Sequence, residues 1–230
     1  PVLEDVPLTF GSIDKSALEA AVVLRDSSGE GEVLVLSAGN EDLEDTIKEA
    51  LATGGNQAYL IMDQSLAGAD SSIIAQVLAA GIKQLNDVDL ILFGEGSGDN
   101  YSGQVSSRVA RLLDLPQVGY ARDIKIDGDT AQVVRVLEDC EEVVEVKLPA
   151  VITVLSDISE PRIPSVTQIL KAGKKPKHLL ELDELDISLD QSHPIITLSN
   201  LAPESNRKRI VVKNSTELIE VLKSENLIGG

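Results

Sequence analysis

Three short apolar runs, "EVLVLS", "QAYLIM" and "VDLILF", each followed by a Gly-containing turn and a stretch of helical periodicity, constrain this chain more than any other feature. Strand and helix alternate through "EDLEDTIKEALAT", "DSSIIAQVLAAGIKQL" and "GQVSSRVARLLD", the pattern of a parallel sheet wound by helices. "VDLILF" reads as a central parallel strand, because a strand covered on both faces carries a continuous apolar run. Only 2% of the residues are aromatic and Trp is absent, so the core must be aliphatic, which suits the same architecture. The chain opens on a helix, "SIDKSALEAAVVLRD", with Ser12 or Asp14 as cap and Ala17, Leu18, Ala21, Val22 and Leu24 on one face. No strand is read before it.

From Arg122 the alternation gives way to "DIKIDGDTAQVVRVLED" and "EEVVEVKLPAVITV". Asp127 and Gly128 mark a hairpin, so an antiparallel extension of the sheet is expected. Beyond Glu160 lie Pro161, Pro164, the cluster "KAGKKPKH" and an acidic, prolyl stretch from Glu181 to Pro203, ending in an expected strand "KRIVV" and helix "NSTELIEVLKSEN" capped by Asn214 with Glu217. The fold expectation is thus α/β: a parallel Rossmann-like sheet wound by helices, a hairpin extension and a C-terminal arm. An adenine-nucleotide-binding domain is placed at 1–180 and an arm that packs on a partner at 181–230.

A net charge of −18 excludes nucleic acid as a natural partner, since the phosphate backbone would be repelled. A single Cys forms no internal disulfide, and no apolar run approaches the roughly 20 residues of a membrane span. A reducing cytoplasm is the expected compartment, or the mitochondrial matrix in a eukaryote. Cys140 sits among carboxylates that disfavour a thiolate, and His178 and His193 lack metal-ligand spacing.

The loop "GEGSGDNYSGQV" follows an expected buried strand and precedes a helix, at the carboxyl edge where open α/β sheets bind ligands. The N–H groups of Gly103, Gln104 and Val105 would favour a phosphate, and Asp99 could accept from a ribose hydroxyl or brace the loop. The spacing fits neither GxGxxG nor a P-loop, so on its own the loop reads equally well as a tight turn with a helix start.

The stretch "GEGSGDNYSGQVSSRVARLLDLPQVGYA" resembles, without a gap, the nucleotide loop of electron-transfer flavoprotein beta subunits, with Gly94, Asp99, Gln104, Leu113, Pro116 and Gln117 matching. Further blocks agree in order: Asp14 to Arg25; "LSAGNEDLEDTIKEALATGGNQA"; and "KLPAVITV" with "EPRIPSVTQILKAGKKP". The resemblance implies an electron carrier rather than an enzyme: a beta subunit paired with an alpha subunit that holds most of a redox FAD. It implies flavin dehydrogenases as donors, a downstream acceptor such as a quinone oxidoreductase, and no embedding in the membrane.

It further implies AMP in the beta subunit, touching Gly11, Ser37, Ala38, Gly94 and the run Asp99, Asn100, Tyr101, Ser102, Gly103, Gln104 and Val105. The chain departs from the family in having Gly11 for its usual Asn, Glu95-Gly96 for its Lys/Arg-Gln pair, and Val136 for the acid after Arg135. The family's opening strand and loop have no counterpart before Gly11. "LAGADSSIIA" resembles the segment by which a bifurcating branch holds a second FAD in place of AMP and oxidises NADH; Asp70 is kept and Ser71 replaces one Thr hydroxyl, whereas Ile74 cannot replace the other. A stand-alone adenine-nucleotide sensor is the third class. In the basic cluster, Lys171, Lys174 and Lys175 read either as a solvated helix end or, by the resemblance, as a docking loop with Val166 at its apolar anchor.

Overall fold

The computed structural model describes residues 8–40, 43–187, 198–199, 201, 204–205 and 207–228. Contacts divide the chain into a main unit, Asp5–Ile195, and a small one within Ile196–Gly230. The main unit is α/β. Helix α1 (Ser12–Ser28) leads to β1 (Leu34–Gly39), α2 (Leu43–Thr53), β2 (Gln57–Met62), α3 (Ser71–Lys83), β3 (Leu90–Gly94) and α4 (Val105–Leu113). After these come β4 (Gln117–Asp127), β5 (Thr130–Val136), β6 (Glu141–Lys147), β7 (Ala150–Val154), α5 (Val166–Ala172) and β8 (Lys177–Leu179).

The strands form two sheets rather than the single one expected. A three-stranded parallel sheet has the order β1-β2-β8, and a five-stranded mixed sheet the order β3-β7-β4-β5-β6. The hairpin falls where Asp127 and Gly128 predict it, Gly128 having φ +57°, and β4, β5 and β6 pair antiparallel.

In the larger sheet β7 is an interior strand, whereas β3, read as central, lies at its edge among the described strands. All five residues of β7, Ala-Val-Ile-Thr-Val, are buried, because it pairs in parallel with β3 on one side and β4 on the other. Strand β3 carries the apolar run of an interior strand, yet it pairs with β7 alone among the described strands.

Helix α1 forms because its small and aliphatic residues recur at helical spacing. Ala17, Leu18, Ala20 and Val22 are buried, Asp14 and Arg25 complement the dipole at either end, and Gly29 closes it at φ +76° with its N–H donated to Arg25 O. Ala17 and Leu24 pack against β7 and β3 with Leu90, Leu92, Ile152 and Val154, whereas Leu18 and Val22 pack with Val33 and Val35 at β1. One helix therefore covers one face of both sheets. On the opposite face α3 does the same, through Leu36, Ala38 and Phe93.

The stretch 181–187, expected to begin the arm, packs on the main unit. Leu185 is buried in a cluster with Ile61, Leu66, Ile73 and Val77. Most of the remaining arm, to Pro203, lies outside the described residues. In the small unit the expected strand "KRIVV" makes no ladder among the described residues, leaving Val211 exposed. The expected helix is present as α6 (Ser215–Ser224): Asn214 accepts from Glu217 N, and Glu217 takes the N–H of Lys213 rather than that of the cap residue.

Candidate functional site

The carboxyl ends of β1 and β3 and the starts of α1, α3 and α4 converge on one side of the main unit. Gly11 precedes α1, Ser37 and Ala38 lie in β1, Gly94 ends β3, and the run from Asp99 to Gln104 carries the chain into α4 at Val105. Gly94 is held against α1: a Cβ there would stand 2.8 Å from Ile13 Cγ2. Gly11 and Asp14 line the same cleft as Ser37 and Ala38, and Ala38 shares an apolar cluster with Ala69 and Ile73, which brings the segment before Ser71 to the end of β1.

The loop fixes itself locally. Tyr101 N donates to Ser97 O at 3.1 Å and Asn100 N to Asp99 Oδ1 at 2.9 Å. Hydrogen bonds from Ser97 and from Asn100 hold the Asp99 carboxyl below its ordinary range, so it is an anion that braces the loop. Asp14 moves the other way. It lies on the cleft wall, exposed to solvent yet surrounded by enough protein to displace bulk water, and this, with the Asp99 charge, raises its carboxyl. Gly11 gives Asp14 its room, because a Cβ at residue 11 would meet Asp14 Oδ2 at 2.5 Å. Sequence reasoning matched Asp14 to a family position and gave it no role at the site; the signal was an acid in the first turn beside a glycine.

Two helix starts differ in a way that decides what each can bind. At α3 the cap is filled: Asp70 Oδ1 accepts from Ser72 N at 2.8 Å and Ile73 N at 3.0 Å. Asp70 Oδ2 is buried with no hydrogen-bond partner among the described residues. At α4 no side chain caps the helix. Gln104 turns instead to Arg108, whose Nη2 donates to Gln104 Oε1 at 3.0 Å. Gly103 has φ +61° with its Cβ position 3.3 Å from Glu95 O, a conformation that glycine adopts without strain. The α4 start therefore presents first-turn N–H groups with a positive dipole end, the chemistry that receives a phosphate.

Away from this site, α5 displays an apolar face. Ala172 is buried against Ile47, Leu51 and Ala52, while Val166 (73% exposed), Ile169, Leu170 and the preceding Ile163 face outward. Lys171 and Lys174 are exposed. Lys175 is not available in the same way: its Nζ donates to Leu51 O at 2.7 Å and Gly55 O at 2.6 Å, closing the carboxyl end of α2. Burial, and secondarily Arg25, lowers its ammonium below the ordinary range.

Sequence reasoning missed the tether of this segment. Arg162 Nε and Nη2 reach the Glu19 carboxylate at 2.8 and 2.7 Å, and Arg162 N donates to the same group at 3.2 Å. The signal was a glutamate on the buried face of α1, which requires a partner.

Among the described residues no cluster of metal-ligating side chains occurs and no helix is long and apolar enough to cross a membrane. The family described as the electron transfer flavoprotein domain matches residues 2–185. The electron transfer flavoprotein subunit beta of Thermoanaerobacterium thermosaccharolyticum is 34% identical over 237 residues, covering 99% of this chain and 90% of that protein. The caffeyl-CoA reductase-Etf complex subunit CarD of Acetobacterium woodii is 37% identical over 187 residues, covering 81% and 71%. A Bacillus subtilis electron transfer flavoprotein subunit beta is 35% identical over 219 residues, covering 92% and 84%. With the nucleotide-loop blocks, the α/β architecture and these matches in agreement, the chain belongs to the electron transfer flavoprotein family, among its beta subunits, whose role is electron transfer.

Proposed function

We propose that this chain pairs with an alpha subunit that holds most of a redox FAD, and that it holds one AMP of its own while the pair carries electrons from flavin dehydrogenases to a downstream acceptor. The observation that carries the AMP assignment is the contrast between the helix starts: α4 is uncapped behind Gly103, whereas the α3 start is already taken by Asp70. The α4 start, free of a side-chain cap and preceded by Gly103, suits a phosphate. Gly103, Gln104 and Val105 bind it, Asp99 keeps the loop in shape and accepts from the ribose, and Ser37, Ala38 and Gly11 border the same side. FAD, when bound, supplies the reversible redox chemistry; this chain's residues position and shield.

The exposed face of α5, with Val166 at its start and Lys171 and Lys174 beside it, is the surface proposed to meet the dehydrogenase. The CarD relative is named for a complex with a reductase, which supports a partner of the same class here. The arm proposed from residue 181 onward is assigned to the alpha subunit beyond Ile187. Cytoplasm, or the mitochondrial matrix in a eukaryote, is the proposed compartment.

A second reading, a second FAD in place of AMP, draws on Asp70 Oδ2, a buried acceptor without a partner among the described residues beside the Ser71 hydroxyl. Extraction and mass spectrometry of nucleotides from the purified alpha–beta complex separates the readings. One AMP and one FAD per pair is the expected result; two FAD supports the second reading; no adenine nucleotide beyond one FAD refutes both.

A further inference from the structure

The segment from Arg162 to Lys175 is attached to the main unit chiefly at its two ends. Between them Ala172 is the one buried residue. Helix α5 spans only seven residues, short of the about 12–15 that a helix needs to persist by itself in water. A capping box, Ser165 with Gln168, secures its start, but a cap fixes where a helix begins and not where it points. Contact through one alanine holds its orientation weakly.

The ends supply what the alanine does not. At the first, Arg162 Nη2 reaches Glu19 Oε1 of α1 at 2.7 Å and stands 3.7 Å from Asp26 Oδ2. At the second, Lys175 Nζ donates to Leu51 O and Gly55 O, 124 and 120 positions away. Arg25 joins the two, since its Nη1 donates to Gly54 O at 3.0 Å and its Nη2 to Asp26 Oδ1 at 2.7 Å. The turn that receives Lys175 has little room to shift: a Cβ at Gly54 would stand 2.4 Å from Val22 Cγ2, and one at Gly55 2.7 Å from Val35 Cγ2. Charged donors on fixed acceptors specify one register where an apolar contact admits several.

We propose that Lys175 and Arg162 are positioning residues for docking, a role that rests on the docking surface assigned to α5 above: the two clamps hold the helix so that Val166, Ile169 and Leu170 meet the flavin dehydrogenase as a preformed surface. Lys175 acts from inside the fold, whereas the exposed Lys171 and Lys174 steer the partner from solvent. A preformed surface spares the complex the cost of ordering it on contact. Loss of a clamp lowers the fraction of molecules with α5 in place and weakens docking by the same factor. The electron-transfer step of the docked pair is left as it was.

The test follows reduction of the flavin in the purified alpha–beta complex by a flavin dehydrogenase, in stopped flow and at varied concentration of the complex. Lys175→Met should raise the KM for the complex about fivefold, equally at low and high salt, with the maximal rate unchanged. It should also speed amide exchange in α5 about tenfold while leaving β7 as it was. A KM raised less than about twofold, a rise that vanishes at high salt as charge steering does, or equal acceleration of exchange in β7 overturns the proposal. Val166→Asp is measured beside it. If that variant is reduced at the wild-type rate, the docking surface is wrong and the proposal falls with it; an impaired Val166→Asp with an unaffected Lys175→Met rejects the clamps alone. If circular dichroism finds Lys175→Met unfolded, Arg162→Lys decides, because it keeps a charge beside Glu19 and loses the forked donors that reach both carboxylate oxygens. A KM raised about twofold or more by Arg162→Lys supports the proposal, and an unchanged KM overturns it.

Discussion

Arg162→Ala tests whether the ion pair with Glu19 holds the segment after β7 against α1. The Glu19 side chain is 7% exposed and Arg162 35%. Removing the arginine leaves a carboxylate with little water and without its guanidinium donors. Breaking a buried pair from one side costs about 3–5 kcal/mol. The outer part of Arg162 is solvated, which screens the pair, so about 3 kcal/mol is the figure to expect. For a chain of this length that lowers Tm by roughly 6–12 °C.

The pH dependence separates charge from packing. Burial opposes ionisation of Glu19, but the Arg162 hydrogen bonds and charge outweigh it and hold the carboxyl below its ordinary 4.5. A carboxyl lowered in the folded state contributes stability that is complete above its unfolded value and is lost as pH falls through the folded one. In the variant, the unpaired Glu19 is relieved by taking up a proton. The gap between wild type and Arg162→Ala therefore narrows from pH 7 to below pH 4.5. Urea unfolding at both pH values measures it, and Glu19→Leu combined with Arg162→Met should recover most of the loss. A cost under about 1 kcal/mol, or an equal cost at pH 7 and pH 3.5, refutes the reasoning.

Gly103→Ala forces a side chain into φ +61° at about 1–2 kcal/mol, so AMP retained by the purified complex should fall about tenfold in affinity with the fold intact; equilibrium dialysis reads it. Lys175→Glu removes two hydrogen bonds to the α2 carbonyls and should cost about 2–3 kcal/mol, whereas exposed Lys174→Glu should stay within about 0.5 kcal/mol; denaturant midpoints compare them. Val166→Asp should slow flavin reduction by a dehydrogenase at every salt concentration, while Lys171→Glu with Lys174→Glu should slow it chiefly at low salt, a difference stopped-flow mixing resolves. Asp14 is raised above 3.8 by burial and Asp99, so its charged form weakens the fold as pH rises through that window; Asp14→Asn should raise stability at pH 7 by less than about 1 kcal/mol, exposed charges being screened, and confer nothing below pH 3.8.

Much of this protein is legible in its sequence because the information is local. Periodic burial marks α1, α2, α3 and α4 to within a few residues, Gln57–Met62 coincides with β2, and Asp127 and Gly128 sit at the hairpin. The loop before α4 lies at a sheet's carboxyl edge as its neighbours imply, since a strand followed by a glycine-rich turn and a helix has few other ways to run. The family could also be recognised, because its blocks are contiguous.

Contacts between residues distant in the chain were decided by tertiary structure. A run such as LILFG announces a buried strand without saying what lies on either side, so the edge place of β3 and the interior place of β7 could not be told apart. A lysine among lysines looks like surface charge until the fold brings Lys175 to the carbonyls of Leu51 and Gly55. Glu19 and Arg162 stand 143 positions apart; a glutamate on the buried face of α1 asks for a partner without naming it, and only the return of the chain over α1 makes Arg162 its counter-ion. Local periodicity dictates which face of an element avoids water, but the partner that covers that face is chosen by packing over the whole chain.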